Sequence, residues 1–362
     1  MTPEPPASFP ALPTNLDRRD DAPILWGYDG FWGRLALAER GRVVTRSLLD
    51  LRRVQAARAR MRRIELREPG GAKEIAPGDM PLVLVVRNER DRLAPFLRHY
   101  RRLGVTSFYV VDDQSTDGTP DMLLEEPDVR LFVSNVRYGE AQLGELWREA
   151  VVDRIGRHRW YVNVDVDEYL VYDGMDRFPL PALVRELESM GLKRTLAAMV
   201  DMYAPGSIAE TRFDPDREPW DVAPLFDGGH HTARYTRLGT VINGGVRARI
   251  FGRMGNRSKF PVVYWDDWTF CARSIHAPLP YWRNFGRPYA ALLHFKLFSD
   301  LEQRSIEAIE DGQHFANAAS YKAYHRILSE SRHPLLHAAS VAFTSPETLV
   351  QHGFMQPIPW RR

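Results

Sequence analysis

Apolar and polar residues alternate in regular blocks between residues 80 and 172, and the blocks predict strands and helices in turn. The runs "MPLVLVV", "SFYVVDD", "VRLFVSN" and "WYVNVDVDEYLV" predict four strands, the first of them covered on both faces. The segments between them have helical spacing, and Gly104 predicts the end of the first helix. Strands that alternate with helices are typical of a mainly parallel sheet with right-handed crossovers. We therefore predict an α/β fold in which helices flank the sheet.

The pattern changes on both sides of this block. Five prolines among polar residues predict a flexible arm at the start of the chain. Residues 200–290 are rich in glycine, aromatics and turns, and a last helical stretch begins near Ser299. The predicted segments are a flexible arm at 1–22, a helical segment and linker at 23–79, one domain at 80–330 with halves at 80–172 and 173–330, and a C-terminal tail at 331–362.

Composition limits the classes of protein that this chain can represent. Its 362 residues are 44% hydrophobic, which is a globular balance, and its net charge of +2 gives no reason to expect nucleic acid as a partner. The single cysteine, Cys271, excludes an intrachain disulfide. The sequence contains no run of about eighteen apolar residues, which is the pattern that would predict a membrane span. We expect a soluble cytoplasmic protein.

Residues 40–68 predict an amphipathic helix with a heavily basic outer face. Such a face can contact a membrane or another polyanion weakly and peripherally, or it can simply be solvated, and both interpretations stay open. The predicted apolar face consists of Leu48, Leu51, Val54, Ala57 and Met61.

Carboxylates follow the predicted strands. Asp165, Asp167 and Glu168 crowd the stretch "WYVNVDVDEYL", and crowded carboxylates usually need a cation or a shared proton. Because ligands bind beyond the carboxyl ends of parallel strands, we expect these residues to meet the polar residues that follow the other strands. In an extended segment Asp165 and Asp167 would point the same way and could bind Mg²⁺ or Mn²⁺. The polar residues after the first two strands are Arg87, Asn88, Glu89, Asp112 and Asp113.

Two common phosphate-binding motifs are absent from the sequence. No GxGxxG follows the first strand, which argues against dinucleotide oxidoreductases, and no Walker A loop is present. A diphosphate would therefore have to be organised by carboxylates and a metal.

Three stretches, "LVLVVRNERDRLAPFLRHYRRLGV", "FYVVDDQSTDGT" and "WYVNVDVDEYLV", resemble in that order the family 2-like glycosyltransferases with the GT-A fold. Further stretches, "GGVRARIFG", "SKFPVVYW", "SIHAP" and "LLHFKLFSD", resemble the acceptor-side half of a bacterial subgroup. The resemblance covers about residues 80–330 and implies a GT-A-like, Rossmann-type sheet with an irregular acceptor-side region and C-terminal helices.

The resemblance implies a transfer reaction in which a sugar leaves a nucleoside diphosphate, expected to be UDP. The "DVDE" stretch resembles the family's DxD motif, so Asp167, with Asp165 directly or through water, would hold Mn²⁺ or Mg²⁺ and stabilise the leaving diphosphate. Asp112 or Asp113 would hold the uracil or ribose, and Arg87 or Asn88 the base edge or ribose. The acceptor would be a glycan, a lipid-linked molecule or a protein, and the expected stereochemistry is inverting.

Several other residues are candidates for the same site. His294 corresponds to a further metal ligand in the family, with His276 as the alternative, and Lys296 beside it could neutralise diphosphate. Arg247 and Arg249 would share one strand face if that segment were extended. Salt bridges within the sheet are the alternative for these arginines and for Lys259.

The catalytic base stays open, because the family's Glu-Asp pair is absent. The candidates by residue type are Asp266, Asp267, Asp300 and Glu302. Two other functions also stay open: a catalytically silent nucleotide- or carbohydrate-binding module, and a sugar nucleotidyltransferase, whose glycine-rich first loop is missing here.

Overall fold

A computed structural model describes residues 31–71, 76, 78–229, 231–252, 255–271, 274–330 and 335–361. The predicted flexible arm at 1–22 and part of the predicted linker lie outside these residues. None of the helices that the described residues form is both long and apolar enough to cross a bilayer.

The strands are β1 (Leu66–Arg67), β2 (Pro81–Val86), β3 (Ser107–Asp112), β4 (Val129–Ser134), β5 (Arg159–Asn163), β6 (Glu168–Tyr172), β7 (Arg194–Asp201), β8 (Leu225–Asp227), β9 (His231–Thr236), β10 (Gly239–Gly244), β11 (Ser258–Trp265), β12 (Pro288–His294) and β13 (Ser340–Ala342).

The helices are α1 (Phe31–Arg34), α2 (Leu37–Met61), α3 (Arg90–Arg102), α4 (Thr119–Glu125), α5 (Glu145–Ile155), α6 (Leu180–Ser189), α7 (Pro219–Val222), α8 (Val246–Phe251), α9 (Leu301–Asp311), α10 (Phe315–Glu330) and α11 (Pro346–Gln351), with 3₁₀ turns at Ile208–Glu210 and Tyr281–Asn284.

Nine of the described strands form one sheet in the order β1-β4-β3-β2-β5-β11-β7-β12-β6. The pairings run six of them (β4, β3, β2, β5, β7 and β12) in one direction, and β1, β11 and β6 in the other. The predicted α/β fold with a mainly parallel central sheet is confirmed. The apolar runs predicted as the first three strands are β2, β3 and β4, which lie side by side because each is followed by a helix that crosses back over the sheet.

The fourth predicted strand is wrong, because the stretch "WYVNVDVDEYLV" forms two strands. β5 ends at Asn163, and β6 begins at Glu168 on the far edge of the sheet, where it pairs with β12. Between them the chain turns, and the Glu168 amide donates to the Asp165 carbonyl at 3.0 Å. A turn lets the crowded carboxylates diverge, which an extended strand would not.

The second half of the predicted domain shares this sheet with the first. β11, β7 and β12 come from residues 194–294, which the sequence predicted to be partly irregular, and they insert between β5 and β6. The predicted C-terminal tail also joins the fold: β13 pairs with β8, and Phe354, Met355 and Ile358 are buried in the core. The two predicted halves and the tail therefore contribute to the same large hydrophobic cluster, which includes Leu82, Leu292 and Phe354.

Helix α2 confirms the predicted helix and most of its predicted apolar face, since Val54 and Ala57 are buried and Leu51 packs partly buried against the core. Its buried residues are Val43, Ser47, Asp50, Val54 and Ala57, whereas Leu48 is half exposed. Hydrogen bonds from Tyr281 set this rotation of the helix: its amide donates to Ser47 Oγ (2.9 Å) and its hydroxyl to Asp50 Oδ2 (2.7 Å).

Candidate functional site

Four polar segments meet at one edge of the sheet because their strands end there. β2, β3 and β5 are parallel neighbours that end at Val86, Asp112 and Asn163. β12 runs in the same direction and ends at His294. The expected convergence of three strand ends is confirmed, and a fourth strand brings an imidazole to the same edge.

A chain of three side chains, Asp167, His294 and Asp201, occupies this edge. His294 Nδ1 lies 2.7 Å from Asp201 Oδ1, and His294 Nε2 lies 3.3 Å from Asp167 Oδ2. Burial would raise the pKa of Asp201, but the guanidinium groups of Arg247 and Arg257 hold it well below its usual range. Asp201 is therefore an ionised acceptor, so His294 donates its Nδ1 proton to it and turns Nε2 toward Asp167.

Asp167 and His294 stabilise each other's charged forms. Burial would raise the pKa of Asp167, but the adjacent His294 imidazolium holds it well below its usual range. Burial also opposes protonation of His294, but the Asp167 carboxylate raises the pKa of His294 above its ordinary value. The carboxylate and the imidazole nitrogen, which both carry lone pairs, therefore need a proton or another cation between them.

Asp165 has a different environment from Asp167, although the two are only two residues apart. Its Oδ1 accepts from Arg148 Nη2 at 2.6 Å, and its Oδ2 accepts from Lys259 Nζ at 2.8 Å. Lys259 is completely buried and also donates to Glu168 Oε2 at 2.5 Å. Burial would raise the pKa of Asp165, but Lys259 and Arg148 lower it to about 2.

The prediction that Asp165 and Asp167 point the same way from an extended segment is therefore wrong, whereas their role as metal ligands stays a prediction. The prediction assumed an extended segment, whereas the turn after β5 sends Asp165 toward Lys259 and Asp167 toward His294. Glu168 is fully buried, and burial raises its pKa despite the neighbouring Lys259 ammonium.

Two of the three predicted metal ligands fit a divalent cation. Asp167 presents an oxygen and His294 a nitrogen, and Asp201 fixes the imidazole from behind, as carboxylates commonly do for metal-binding histidines. Asp165 does not fit as a direct ligand, because Arg148 and Lys259 hold both of its oxygens. Across the described part of the chain, no three His, Cys, Asp or Glu side chains are grouped closely enough to hold a metal ion. A bound ion would take its remaining ligands from diphosphate oxygens and water.

The ends of β2 and β3 are joined by a network of polar contacts. Asn88 links the loops that follow β2 and β3. Its backbone amide donates to Ser115 Oγ (2.8 Å), and its side-chain Oδ1 accepts from the Thr116 backbone amide (2.8 Å). Asp112 Oδ2 accepts from the Ser115 amide at 3.0 Å. Asn88 and Asp112 thus shape the loops at this edge.

Asp113 is held between two arginines. Arg137 Nε donates to Asp113 Oδ1 at 2.9 Å, and Arg87 Nη1 lies 3.7 Å from Asp113 Oδ2. Burial raises the pKa of Asp113 despite these cations. Arg87 also donates to the Asp113 carbonyl at 3.0 Å, so the predicted donor-binding residues of β2 and β3 contact one another.

Helix α9 lies across the same edge and is tied to it by ion pairs at both ends. Near its start, Arg304 forms a two-pronged pair with Glu89, and Asp300 accepts from Arg92 at 2.6 Å. At its end, Asp311 pairs with Arg137 (2.8 Å) and with Arg87 (3.4 Å). Two of the predicted donor-binding residues, Arg87 and Glu89, therefore contact a C-terminal helix.

The prediction that Arg247 and Arg249 share one strand face is wrong, because both lie on helix α8. Residues two apart on a helix point to different sides. Arg247 is buried and pairs with Asp201, with Nη2 2.5 Å from Oδ1, whereas Arg249 pairs with Asp227 away from the Asp167 site. Arg247 thus joins the site through Asp201.

Lys296 and His276 lie on opposite sides of the site. Lys296 Nζ is 4.0 Å from Asp167 Oδ2 and donates to the Tyr321 hydroxyl at 3.3 Å. His276 Nδ1 lies 2.7 Å from the Ser258 carbonyl, on the Lys259 side. Burial and the Lys259 ammonium lower the pKa of His276 to about 4. Of the two histidines, His294 is the one placed against Asp167.

Two of the candidate bases, Asp266 and Asp267, lie at the wrong edge of the sheet. β11 runs antiparallel to β5, so Trp265 pairs with Arg159 at the start of β5. β5 alone separates the two edges by about 13 Å. Asp266 is paired with Arg283 (2.8 Å), and Asp267 contacts His158 (3.2 Å).

The other two candidates lie at the start of α9, Asp300 just before its first residue and Glu302 in its first turn. Glu302 is half-buried and lies 3.6 Å from His325 on α10, away from the β2 and β3 ends. Asp300, which pairs with Arg92, is the candidate that lies at the site edge.

Sequence reasoning missed several residues of this site, among them Arg148, Asp201 and Arg304. Asp201 carried a usable signal, because it ends the apolar strand run "TLAAMVD" just as Asp112 ends its own strand. Arg148 and Arg304 lie on helices, where nothing in the spacing distinguishes them from surface arginines.

No protein-family model matches the chain, and no curated protein matches it. The solved structures that resemble it include a 4-diphosphocytidyl-2C-methyl-D-erythritol synthase (12% identity, TM-score 0.24, covering 76% of this chain and 98% of that one). Two others are a UDP-glucose pyrophosphorylase complexed with UDP-glucose (9%, 0.27, 76% and 97%) and an apo-UDP-glucose pyrophosphorylase (9%, 0.26, 76% and 97%). TM-scores this low carry no argument about function.

Proposed function

We propose that this protein is a glycosyltransferase of the GT-A type that moves a sugar from a UDP-sugar to a hydroxyl acceptor with the help of Mn²⁺ or Mg²⁺. The observation that carries the proposal is the meeting of Asp167 with His294 at the edge where β2, β3 and β5 also end. This edge is where open α/β sheets bind their ligands, and the ordered motifs of the sequence resemble those of the family 2-like group.

Asp167 and His294 would hold the metal, and the bound metal would stabilise the charge that develops on the leaving diphosphate. Asp201 and Arg247 keep His294 oriented, with Nε2 toward Asp167. Lys296, at 4.0 Å from the Asp167 carboxylate, would add a fixed positive charge beside the diphosphate.

Asp165 has a supporting role in this proposal. Its pairs with Arg148 and Lys259 hold the start of the turn that carries Asp167. Asp113 and Arg87 would contact the uracil or ribose, which requires at least one of the ion pairs among Asp113, Arg137 and Asp311 to rearrange when the donor binds.

Asp300 is our candidate for the base, because it is the only one of the four proposed acids at this edge. Arg92 Nη2 donates to Asp300 Oδ2 at 2.6 Å and so fixes the position of this carboxylate at the edge.

The deciding experiment measures release of UDP from a panel of UDP-sugars with Mn²⁺ and with a chelator. We expect turnover with at least one sugar, and its loss on chelation. A silent binding module would instead bind UDP without releasing it from any donor. A nucleotidyltransferase would form UDP-sugar and pyrophosphate from UTP and a sugar phosphate, and either result would contradict the proposal.

A further inference from the structure

Helix α2 carries large apolar side chains on its solvent side. Leu37 is 82% exposed, and Leu48 and Leu49 are each 50% exposed. In the part of the chain that the structure describes, six large hydrophobic side chains are exposed, and these three belong to one helix. Leu48 and Leu49 are adjacent, and Leu37 lies about 16 Å before Leu48 along the same helix. Apolar side chains exposed along one helix mark an interaction surface more often than single exposed leucines do.

The opposite side of the helix already provides its packing. Val43, Val54 and Ala57 are buried against the rest of the protein, and Tyr281 fixes that side through two hydrogen bonds. At 100° per residue, Leu48 lies on the side of the helix away from Val43 and Val54. The exposed leucines are therefore not needed to hold α2 in place.

Arginines lie around the exposed leucines of α2. Residues 37–63 contain nine arginines and two acidic residues, a net charge of +7 in a chain whose total is +2. Arg42, Arg52, Arg62 and Arg63 are exposed. The positive charge of the whole chain is thus concentrated on the helix that exposes the leucines.

An exposed tryptophan lies beside the helix. Trp268 is 50% exposed, and its ring lies 6.4 Å from that of Trp282, in the 3₁₀ turn against which α2 packs. The Arg58 guanidinium, on α2, lies 5.8 Å from the centre of the Phe270 ring, which places the Trp268 turn next to the helix. Tryptophan favours the boundary between lipid and water.

We propose that the exposed face of α2, together with Trp268, docks the protein on an anionic lipid surface. Leu48 and Leu49 enter the boundary between headgroups and acyl chains, while the arginines contact lipid phosphates. The helix lies in the plane of the membrane and does not cross it. This inference does not depend on the proposed reaction, and vesicle binding can be measured without turnover.

Charge distinguishes this occupant from a second copy of the chain. A two-fold contact through α2 would place two surfaces of net charge +7 against each other, which is repulsive. An anionic lipid surface complements the charge and also accepts the leucines. A soluble polyanion would leave the leucines in water.

The experiment is flotation of the full-length protein with vesicles of phosphatidylcholine alone and of phosphatidylcholine with phosphatidylglycerol. We expect binding to the vesicles that contain the anionic lipid, with little binding to the neutral ones. Binding should weaken as the salt concentration rises from about 0.1 M to about 0.5 M, because salt screens the arginines.

Matched variants separate the apolar and charged contributions. Leu48→Ser with Leu49→Ser should weaken partitioning at least about tenfold, because two leucines no longer insert. Leu124→Ser, at an equally exposed leucine on α4, should change nothing. Arg42→Gln with Arg52→Gln should weaken binding several-fold, whereas Arg185→Gln, at an exposed arginine on α6, should not.

Several outcomes would overturn the proposal. These are absence of binding by the unchanged protein, equal binding to neutral vesicles, or full binding by the Leu48→Ser, Leu49→Ser variant. Light scattering after gel filtration tests the second copy: a dimer that the double leucine variant converts to a monomer would assign this face to self-association. Circular dichroism of each variant confirms that any loss does not come from unfolding.

Discussion

Asp165 and Asp167 show how two carboxylates in one turn can have opposite roles. Asp165 is paired with Arg148 and Lys259, and, against the effect of burial, the Asp165 and Glu168 carboxylates raise the pKa of the Lys259 ammonium. Asp167 faces His294, whose positive charge is a proton that can leave. The first aspartate is therefore part of the protein's permanent framework. The second is the one to which our proposal assigns the metal.

The distances of the two lysines from the carboxylates agree with this division. Lys259 is completely buried between two carboxylates, whereas Lys296 approaches Asp167 no closer than 4.0 Å. A buried lysine must be paired to stay charged, so Lys259 keeps its carboxylate partners. Asp165 is therefore not available to bind a ligand. A DxD motif alone does not show which aspartate is paired with a permanent cation and which faces a proton that can leave.

The largest effect should come from removing the fixed cation. Lys259→Met leaves Glu168 buried and Asp165 without one of its two partners, so we expect a loss of about 3 to 5 kcal/mol in the free energy of unfolding. Chemical denaturation measures it. Lys322→Met, at an exposed lysine on α10, should change stability by less than about 0.5 kcal/mol. If the Lys259→Met protein were as stable as this control, Lys259 would not be a stabilising partner of Asp165. The contrast between Asp165 and Asp167 would then be contradicted.

The next largest effect concerns Asp167 and activity. Asp167→Asn removes the charge that would bind the metal in our proposal, so turnover of the donor should fall at least about 100-fold, or about 2.7 kcal/mol in the activation free energy. Its stability should change little, because His294 can become neutral. Asp267→Asn, at the opposite edge of the sheet, is the control and should keep full activity. Near-normal turnover by Asp167→Asn would mean that the wrong aspartate carries the metal in our proposal.

His294→Ala tests the other half of the pair. We expect the affinity for Mn²⁺ in the presence of UDP to fall at least about tenfold, or about 1.4 kcal/mol, because water replaces one ligand only partly. Calorimetry measures this affinity. His276→Ala is the comparison, since His276 contacts the Ser258 carbonyl and not Asp167. Loss of affinity in the His276 variant with none in the His294 variant would assign the ligand to His276.

The smallest effect should be a dependence on pH that belongs to His294 alone. The Asp167 carboxylate, against the effect of burial, raises the pKa of His294 in the folded protein. Without metal, protonated His294 therefore stabilises the fold fully below its ordinary pKa of about 6.5, and this contribution is lost as pH rises through the raised value.

Metal binding should show the opposite trend, because the metal displaces the same proton. Affinity for Mn²⁺ should rise with pH by up to about tenfold per unit until His294 is neutral. Denaturation and calorimetry over a pH series measure the two trends, with His294→Gln as the control that should flatten both. An unchanged pH dependence in that variant would place the titrating group elsewhere.

Much of the fold could be predicted from local pattern. The runs that form β2, β3 and β4 are short, apolar and separated by helical spacing, and Gly104 ends α3 with a φ of 94° as expected. The stretch around Asp165 could not be resolved in the same way. Its residues suit an extended strand, and only the pairing of β6 with β12, more than 100 residues later in the chain, shows that the chain turns there.

The same distinction between local pattern and distant contacts applies to the candidate site. Asp112, Asp113 and the Asp165–Glu168 segment follow strands directly, so their common edge could be inferred from the order of the strands. Asp266 and Asp267 also follow a strand, but β11 is antiparallel, and residue type gives no information on strand direction.

By itself, the sequence determined that the chain forms an α/β sheet and that acidic side chains gather at the carboxyl ends of its parallel strands. Both follow from periodicity and strand order, which are local or nearly local properties. Only the tertiary structure decided which side chains these carboxylates contact. Lys259 and Arg148 pair with Asp165, and His294, which contacts Asp201, faces Asp167. Arg304 and Asp311 tie α9 across the edge. These partners are separated by tens to hundreds of residues. The charge that each carboxylate meets depends on which distant segment packs against it.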